Sequence, residues 1–536
     1  MDMKKIVLAA MALAMVLPAA AQDTYESGRL LGEDLNGTAR YVGMGGAMEA
    51  LGADISTIGT NPAGIGLFRH AQVSASFGLV SQQEAQKFDG LGKTNMSFDQ
   101  AGFVYPIYTG DFDDESYVNF AFNYHKSRNF DQILNVADHA LRNASLNGLT
   151  HQKYMNRSYE LVYTNNTGYV GRARDGLRAY TYNQFDDLNV NGLYMGGYDE
   201  IGTYMNYNDA EMYNFDRAHR GWISDFDFNL SGNAANSRIY WGFTIGVHTV
   251  NYKGYSEYAE RLTYLDDNNN VCDAGVVAYG DDRRIKGTGF DLTAGIIARP
   301  IEESPFRIGL SIATPTFYDL KTENYTDLYN NTVYKVDPDG DLFSVAEVYE
   351  FKYYTPWKFN VSLGHTFGQN LALGLSYEYS DYGAARNRVK DGYDYYDEDN
   401  SYTDEPMKRN AEQVLKGVST LKVGAEFKPV PELAVRLGYN YVSAAYDEQG
   451  YRDATLNSIG AMYASTADYV NWKGTNRLTC GLGVKVGQMN IDLAYQYSVT
   501  DGVFHPFQNY DPSNYISTAD VTNKRHQMLL TLGYTF

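Results

Sequence analysis

The chain has 536 residues, a mean hydropathy of −0.42 and a formal net charge of −21, values typical of a large soluble protein. The acidic excess disfavours a role in nucleic-acid binding. The two cysteines, Cys272 and Cys480, stand too far apart in sequence to indicate a disulfide framework.

The first 21 residues predict a secretory signal peptide. Lys4 and Lys5 precede an apolar run over 6–17, and the small residues 19–21 form a cleavage pattern that leaves Gln22 or its neighbour as the new N-terminus. The run is too short for a membrane anchor, and no second run of 18 apolar residues follows it. The mature chain is therefore predicted to leave the cytoplasm without a membrane-spanning helix.

A turn is predicted just before the first alternating run of the chain, in "TNPAGIG" at 60–66. Pro62 fixes its own φ angle, and Gly64 tolerates backbone angles that other residues avoid. Asn61, Pro62, Ala63 and Gly64 are therefore the residues of the predicted turn.

From about residue 222 onward, short segments place apolar side chains at every second position. In "NLALGLSYEYS", Leu373, Leu375 and Tyr377 fall on one face, while Gly374 and Ser376 fall on the other. "ELAVRLGYNY", "QMNIDLAYQYS" and the closing "MLLTLGYTF" repeat the pattern. A period of two is the period of a β-strand, and tyrosines near the strand ends suit a membrane interface.

The connections between these strands alternate in length. Short ones fall at 302–305, 368–370, 428–432 and 487–488, and long ones at about 253–286, 318–355, 383–417 and 445–474. Tight turns at one end and long loops at the other are typical of an outer-membrane β-barrel, with the turns in the periplasm. A soluble β-sandwich gives no reason to separate loop lengths in this way.

Counting strands predicts an all-β, transmembrane antiparallel β-barrel of about 14 strands over residues 70–536, with long extracellular loops. The stretch at 127–221 is predicted to include a helix, because "DQILNVADHALRNA" has nearly helical apolar spacing. The predicted strands are 71–80, 97–108, 116–126, 222–232, 237–252, 287–299, 305–317, 355–367, 370–382, 417–428, 432–443, 475–486, 488–500 and 526–536. An even number leaves both termini in the periplasm.

Thirteen glycines fall on the predicted lumen face, and two interpretations stay open: relief of crowding in bent strands, or space for a plug and a ligand. They are Gly78, Gly102, Gly242, Gly246, Gly295, Gly309, Gly364, Gly374, Gly424, Gly438, Gly481, Gly483 and Gly533.

At this point the sequence resembles a known family. Residues 36–78, "NGTARYVGMGGAMEALGADISTIGTNPAGIGLFRHAQVSASFG", are similar to the N-terminal hatch of FadL/TodX-type outer-membrane transporters of long-chain fatty acids. The match includes the Asn61-Pro62-Ala63 turn, the upstream "GMGGAM" and the entry into the first strand, and a terminal Phe536 accompanies it. The resemblance implies that residues 22–69 form a hatch inside the barrel lumen.

The family's function is diffusion-driven import of hydrophobic compounds, and the resemblance implies the same here. Burying an acyl chain contributes about 0.8 kcal/mol per methylene, so binding needs no energy source. The implied partners are outer-membrane lipid, a hydrophobic small molecule and, through Phe536, the barrel assembly machinery; no cofactor or metal is expected. Apolar residues of the hatch are expected either to contact the ligand or only to pack the plug: Met44, Met48, Leu51, Ile65, Leu67 and Phe68.

One predicted strand departs from the pattern of the family, and two acidic stretches depart from the calcium-loop motif. Exit through the wall depends on a kinked early strand in the family, yet "SYVNFAFNYH" at 116–125 contains neither Gly nor Pro. The acidic stretches at 266–273 and 337–343 lack the Gly and Glu of a calcium loop, so no calcium site is expected.

Three other functions have less support in the sequence than transport. The nine histidines are scattered and no local signature frames a serine, so an enzyme is not expected. A haem receptor remains an alternative, although none of the 48 tyrosines stands out as a ligand. The main alternative is a barrel of the same family that binds or escorts secreted proteins at the cell surface.

Overall fold

The computed structural model describes residues 23–110, 115–177, 179–193, 195–199, 202–393 and 399–536. The predicted signal peptide, residues 1–21, lies outside the described residues. Among the helices in these ranges, none combines the length and the apolar character that a membrane crossing requires.

Fourteen antiparallel strands form a closed barrel, as the alternation predicted. The strands are β1 (Gln72–Gln82), β2 (Thr94–Tyr108), β3 (Tyr117–Asn129), β4 (Ala210–Ala234), β5 (Ile239–Leu265), β6 (Val271–Ala298), β7 (Arg307–Ala313 and Phe317–Thr332), β8 (Asp341–Tyr354 and Lys358–Phe367), β9 (Leu371–Asp381), β10 (Gly417–Val430), β11 (Leu433–Val442), β12 (Tyr469–Val486), β13 (Met489–His505) and β14 (Ala519–Thr535). Consecutive strands pair, and β14 returns to pair with β1 from Gln72↔Thr535 to Gln82↔Arg525. Every strand therefore has two neighbours, and the sheet has no free edge.

The apolar face of the strands points outward. On β9, Leu373, Leu375 and Tyr377 are 39%, 40% and 45% exposed, whereas Gly374 and Ser376 are buried. A soluble protein rarely exposes so continuous an apolar surface, while a barrel in lipid requires one. The chain is an outer-membrane protein whose polar strand face lines the lumen.

The N-terminal segment, residues 23–69, precedes the barrel and contains four short helical pieces. These are α1 (Thr24–Gly28), α2 (Ala39–Gly43) and two 3₁₀ turns, Ile55–Ile58 and Pro62–Leu67. Asp23, Thr38, Asp54 and Asn61 cap their first backbone N–H groups with side-chain oxygens.

Several strands extend well beyond the membrane. β5 has 27 residues and β6 has 28, whereas a tilted strand needs roughly 9–11 to cross the bilayer. The predicted long loops at 253–286 and 318–355 are therefore wrong in large part, since both are mainly strand. Outside the lipid the outward face carries polar residues, so the apolar alternation that marks a strand fades while the hydrogen-bonded ladder continues.

The helix predicted in "DQILNVADHALRNA" is a strand. Gln132–Ala144 pairs with β4, with register shifts between Val136 and His139 and between Ala140 and Ala144. These bulges break the period of two, and the resulting spacing imitates a helix. The helices of this insertion lie further along, at α3 (Leu146–Met155) and α4 (Gln184–Gly192); a later helix, α5 (Glu405–Val414), lies between β9 and β10.

The end of the barrel with the long strand extensions, which the sequence predicts to be extracellular, has its own hydrophobic core. Leu149 of α3 and Phe185 and Leu188 of α4 pack with Tyr213 of β4 and Val277 of β6, and all five are at most 2% exposed. The strand extensions and the insertion thus form a folded extracellular unit rather than solvated loops.

Candidate functional site

The N-terminal segment lies inside the barrel and contacts its wall all the way round. The side-chain amide of Asn119 on β3 donates to the carbonyl of Ile65, at 2.6 Å. On the other side, the Thr479 hydroxyl of β12 donates to the carbonyl of Gly43, and the backbone N–H of Ala39 donates to Thr531 of β14. The segment therefore occupies the lumen.

Glycines of the wall make room for it. Nine of the thirteen predicted lumen glycines face the N-terminal segment closely enough for an added Cβ to meet it: Gly102, Gly242, Gly295, Gly309, Gly364, Gly374, Gly424, Gly438 and Gly481. Of the two interpretations that the sequence left open, packing of an inserted segment fits these nine positions, and we call residues 23–69 the plug from here on.

Four of these glycines form a row across neighbouring strands. Gly364, Gly374, Gly424 and Gly438 are register partners on β8, β9, β10 and β11. A Cβ on Gly374 would overlap the carbonyl oxygen of Ala47, and one on Gly424 would overlap that of Met44. The "GMGGAM" stretch of the segment thus packs its backbone directly on the backbone of the wall. We call these four residues the glycine row.

The predicted turn at 61–64 forms, and its last residues belong to the 3₁₀ turn Pro62–Leu67. The Asn61 side chain accepts a hydrogen bond from the N–H of Ala63 at 3.2 Å. The turn packs against a second glycine patch: the carbonyl group of Pro62 lies on Gly242, and the Asn61 side chain lies against Gly295 and Gly309. Asn61, Pro62, Ala63 and Gly64 are all buried.

The six apolar residues predicted to contact either ligand or wall are in packed positions. Met44, Met48 and Leu51 belong to one buried cluster, and Ile65 and Phe68 belong to another with Val104 of β2 and Ala121 of β3. Leu67 packs beside Ala63 and Tyr240. None of the six is among the described residues that line the lumen cavity, so contact with a ligand stays a prediction.

A cavity of about 330 Å³ lies on the outer side of the plug. Residues 28–36 of the N-terminal segment form one side of it, and inward-facing residues of the wall form the rest. Its lining is strongly charged and includes Glu33, Asp34, His125, Arg128, Asp225, His248, Asp291, Lys358, Lys422, Arg477 and Arg525. The sequence analysis did not predict this set, although the alternate pair Asp225 and Asp227 on β4 was a usable signal of a charged inner face.

Histidine and aspartate side chains form a connected network on one side of the cavity. His248 of β5 lies between two carboxylates, with Nδ1 at 2.7 Å from Asp225 and Nε2 at 3.0 Å from Asp291. His125 of β3 lies 3.5 Å from the other oxygen of Asp225 and 3.3 Å from Asp227. Three carboxylates thus share two imidazoles on this side of the cavity.

Beside these histidines and aspartates, two adjacent strands are interrupted and a third strand ends. β7 breaks at 314–316 around Pro315, β8 breaks at 355–357 around Pro356, and β9 ends at a 3₁₀ turn over Tyr382–Ala384. Proline lacks an N–H group and cannot continue a ladder in mid-sheet. A second cavity of about 30 Å³ reaches this region, and Thr316, Pro356 and Tyr382 line it. β3, by contrast, is continuous over Tyr117–Asn129.

The outer end of the plug is fastened to the extracellular unit. Tyr25 of α1 stacks on Tyr446, with ring centroids 5.0 Å apart and planes 2° apart. Glu26 accepts a hydrogen bond from Arg452 at 2.7 Å and also pairs with Arg283 of β6. The N-terminal segment therefore runs from the extracellular loops through the lumen to β1.

Comparison with known proteins identifies the fold. No protein-family model and no curated protein sequence matches the chain. Among solved structures it is similar to a Pseudomonas aeruginosa FadL homologue, at a TM-score of 0.50 and 11% identity, over 94% of this chain and 99% of the other. The Ralstonia pickettii toluene transporter TbuX and the P. putida toluene transporter TodX give TM-scores of 0.47 and 0.44 at 11% identity, each over 94% of this chain and 99% of theirs. At 11% identity the likeness to the FadL homologue establishes the fold alone: the chain has the outer-membrane β-barrel fold of that protein.

Proposed function

We propose that this barrel transports hydrophobic small molecules across the outer membrane by diffusion, and that the N-terminal segment is its hatch. The observation that carries the proposal is the packing of that segment, which occupies the lumen and lays part of its backbone on glycines of the wall. Its other contacts with the wall are hydrogen bonds and ion pairs, such as Glu49 with Lys422 and Arg40 with Glu426, which are able to exchange without breaking the strand ladder.

The lining of the cavity narrows the substrate class. Moving a plain hydrocarbon past so many charges would strip water from them without replacement, which is costly. A compound with an apolar chain and a polar end, such as a long-chain fatty acid, keeps its polar end among these groups. Amphipathic compounds are therefore the proposed substrates.

The strand interruption offers the route to the bilayer. Phe317, Tyr354 and Trp357 flank the interruption, and the outward residues beyond it, such as Asp319 and Lys321, are polar. This level corresponds to the outer rim of the membrane. We propose that the ligand crosses the wall here, between β7, β8 and β9, rather than at the continuous β3.

A reversible cross-link tests the hatch. Gly43 and Gly481 face each other, and a Cβ built on either lies 3.3 Å from the Cα of the other, so Gly43→Cys with Gly481→Cys suits a disulfide. In cells lacking other importers, the oxidised double variant should stop uptake of a fluorescent long-chain fatty acid, and reductant should restore it. Each single variant is the matched control. Unchanged uptake in the fully cross-linked protein would contradict gating by this segment.

Handling of a secreted protein is the second candidate, and one observation favours it. Tyr163, Tyr198 and Tyr204 are 47%, 57% and 38% exposed on the extracellular insertion. Tyrosine is common at protein interfaces because it combines apolar area with a polar tip. Mass spectrometry of the purified protein separates the two functions: a co-purifying fatty acid supports transport, and a stoichiometric secreted protein supports the alternative.

A further inference from the structure

Three arginines from separate strands converge on the lumen cavity. Arg128 lies at the end of β3, Arg477 on β12 and Arg525 on β14, and all three line the cavity. The charged side chains that act most strongly on Arg477 are Asp34, Arg128 and Arg525. Those that act most strongly on Asp34 are the same three arginines. The group therefore has three positive charges and one negative charge. We call Arg128, Arg477 and Arg525 the arginine trio.

Asp34 does not hydrogen-bond to the arginines. Its carboxylate oxygens lie 3.9 Å from Arg477 and 4.0 Å from Arg525, beyond hydrogen-bond distance, and one of them accepts from the N–H of Asn129 at 2.8 Å. By contrast, Lys422 and Arg217, which line the same cavity, have carboxylate partners at 2.7 Å and 2.6 Å.

The three guanidinium groups also have N–H donors that their hydrogen bonds within the protein do not use. Among the described residues, Arg128 donates to the carbonyl of Leu31, Arg477 donates to the side chain of Asn440, and Arg525 makes a long contact of 3.5 Å with the carbonyl of Asn129. A guanidinium has five N–H groups, so most donors of the arginine trio are left for the cavity. Arg477 is only 9% exposed, which makes its uncompensated charge expensive without a ligand.

We propose that the arginine trio is a binding site for a dianionic oxyanion of the phosphate-monoester type, and that the Asp34 carboxylate competes with this anion for the arginines. The three arginines exceed Asp34 by two positive charges, which favours a dianion over a monoanion, and Asp131 is a further carboxylate of the cavity lining. Guanidinium groups match phosphate oxygens with paired N–H donors. The same chemistry is found in free phosphate and in the head group of a phosphorylated amphiphile. The site is independent of the transport proposal, because it makes no assumption about passage through the barrel.

Calorimetry on the purified mature protein in neutral detergent tests the site, with hexyl phosphate, hexanoate, hexanol and inorganic phosphate as probes. At pH 8, hexyl phosphate should bind at least about tenfold more tightly than hexanoate, and hexanol should not bind measurably. Inorganic phosphate binding as tightly as hexyl phosphate would identify the free ion as the ligand. Much weaker binding of inorganic phosphate would identify an amphiphile.

Variants separate the arginine trio from general charge effects. Arg477→Gln with Arg525→Gln should weaken hexyl phosphate binding about tenfold or more, whereas Arg284→Gln on the outer wall should leave it unchanged. Asp34→Asn should tighten binding, because a competing carboxylate is removed. Wild-type affinity in a correctly folded double variant would overturn the proposal. If the double variant does not fold, unchanged or weaker binding by Asp34→Asn overturns it instead.

Discussion

Leu493 and Thr420 lie on opposite faces of the barrel wall, and the same substitution at each tests the direction of the strands. Leu493 is 42% exposed on the lipid side of β13, and Thr420 of β10 lines the lumen cavity beside Glu378. An arginine costs about 2–4 kcal/mol on the lipid face near the midplane, whereas the lumen supplies water and a carboxylate. Leu493→Arg should therefore reduce the yield of heat-modifiable barrel far more than Thr420→Arg. Equal yields would contradict the assignment of faces.

Labelling of the two native cysteines tests the orientation of the barrel strands without any substitution. Cys272 lies next to the tip of the β5–β6 hairpin, and Cys480 is exposed on the lipid face of β12. A membrane-impermeant maleimide added to intact cells should label Cys272 and spare Cys480, because lipid covers the latter. Labelling confined to Cys480 would be incompatible with this orientation of the barrel.

Glu260 makes part of the extracellular unit sensitive to pH. It lies on β5 beyond the membrane, where the outward residues are polar, and it accepts hydrogen bonds from the N–H of Leu146 and from Tyr258, both at 2.7 Å. Burial raises the pKa of this carboxyl from 4.5 to about 7, despite the two hydrogen bonds that oppose the shift.

A raised pKa means that the folded state prefers the protonated acid. Stability of the contact between β5 and α3 should be greatest at low pH, fall between about pH 4.5 and 7, and level off above that, by up to about 3 kcal/mol in total. Hydrogen exchange of α3, corrected for its intrinsic pH dependence, should become faster over this interval. Glu260→Gln keeps the acceptor oxygen and should remove the dependence; a dependence that persists would assign it to another group.

At the scale of elements, the sequence predicted those parts of strands that lipid surrounds. Bilayer contact forces an apolar side chain onto every second position, as in β9, and the resulting pattern is unambiguous. The extensions of β5 and β6 escaped detection because water accepts polar residues on their outer face. The strand Gln132–Ala144 was mistaken for a helix because its bulges shift the alternation.

The candidate site, like the strands, was predicted from the sequence only in part. The turn at Asn61 and Pro62 and the lumen glycines were readable, because backbone geometry restricts which residues stand there. The charged cavity was not predicted, since Asp34 stands several hundred residues before Arg477 and Arg525 and meets them only through closure of the barrel. No local spacing in the sequence encodes that meeting.

A disulfide across the interrupted strands tests whether the ligand leaves through the wall. Thr316 and Thr355 are joined across β7 and β8 by two hydrogen bonds, from the N–H of Thr316 to the Thr355 hydroxyl at 2.8 Å and from the N–H of Thr355 to the carbonyl of Thr316 at 3.1 Å. Thr316→Cys with Thr355→Cys should form a disulfide that holds the interruption closed. Uptake of a fluorescent fatty acid should fall when the pair is oxidised and recover on reduction. A disulfide that forms fully and leaves uptake unchanged would place the exit elsewhere.

For the molecule as a whole, barrel and plug are held by different interactions, so it should be possible to disturb one without the other. The barrel is stabilised by the closed hydrogen-bond ladder between its own strands. The plug is fixed by buried clusters, by the ion pairs of Glu26 and by contact with the glycine row. Adding a methyl group to the glycine row changes the second set and leaves the ladder intact.

Gly374→Ala with Gly424→Ala is the variant that follows from this division. Each new Cβ would overlap a backbone carbonyl of the plug, at Ala47 and Met44, and overpacking of this kind costs about 1–3 kcal/mol per site. The N-terminal segment should loosen while the barrel assembles, giving normal heat-modifiable migration together with entry of a large antibiotic that the intact outer membrane excludes. Gly533→Ala is the matched control, because a Cβ there meets nothing nearer than 3.5 Å. Loss of the barrel itself would show that the glycine row serves folding, and an unchanged permeability barrier in a well-folded variant would show that the plug does not depend on this contact.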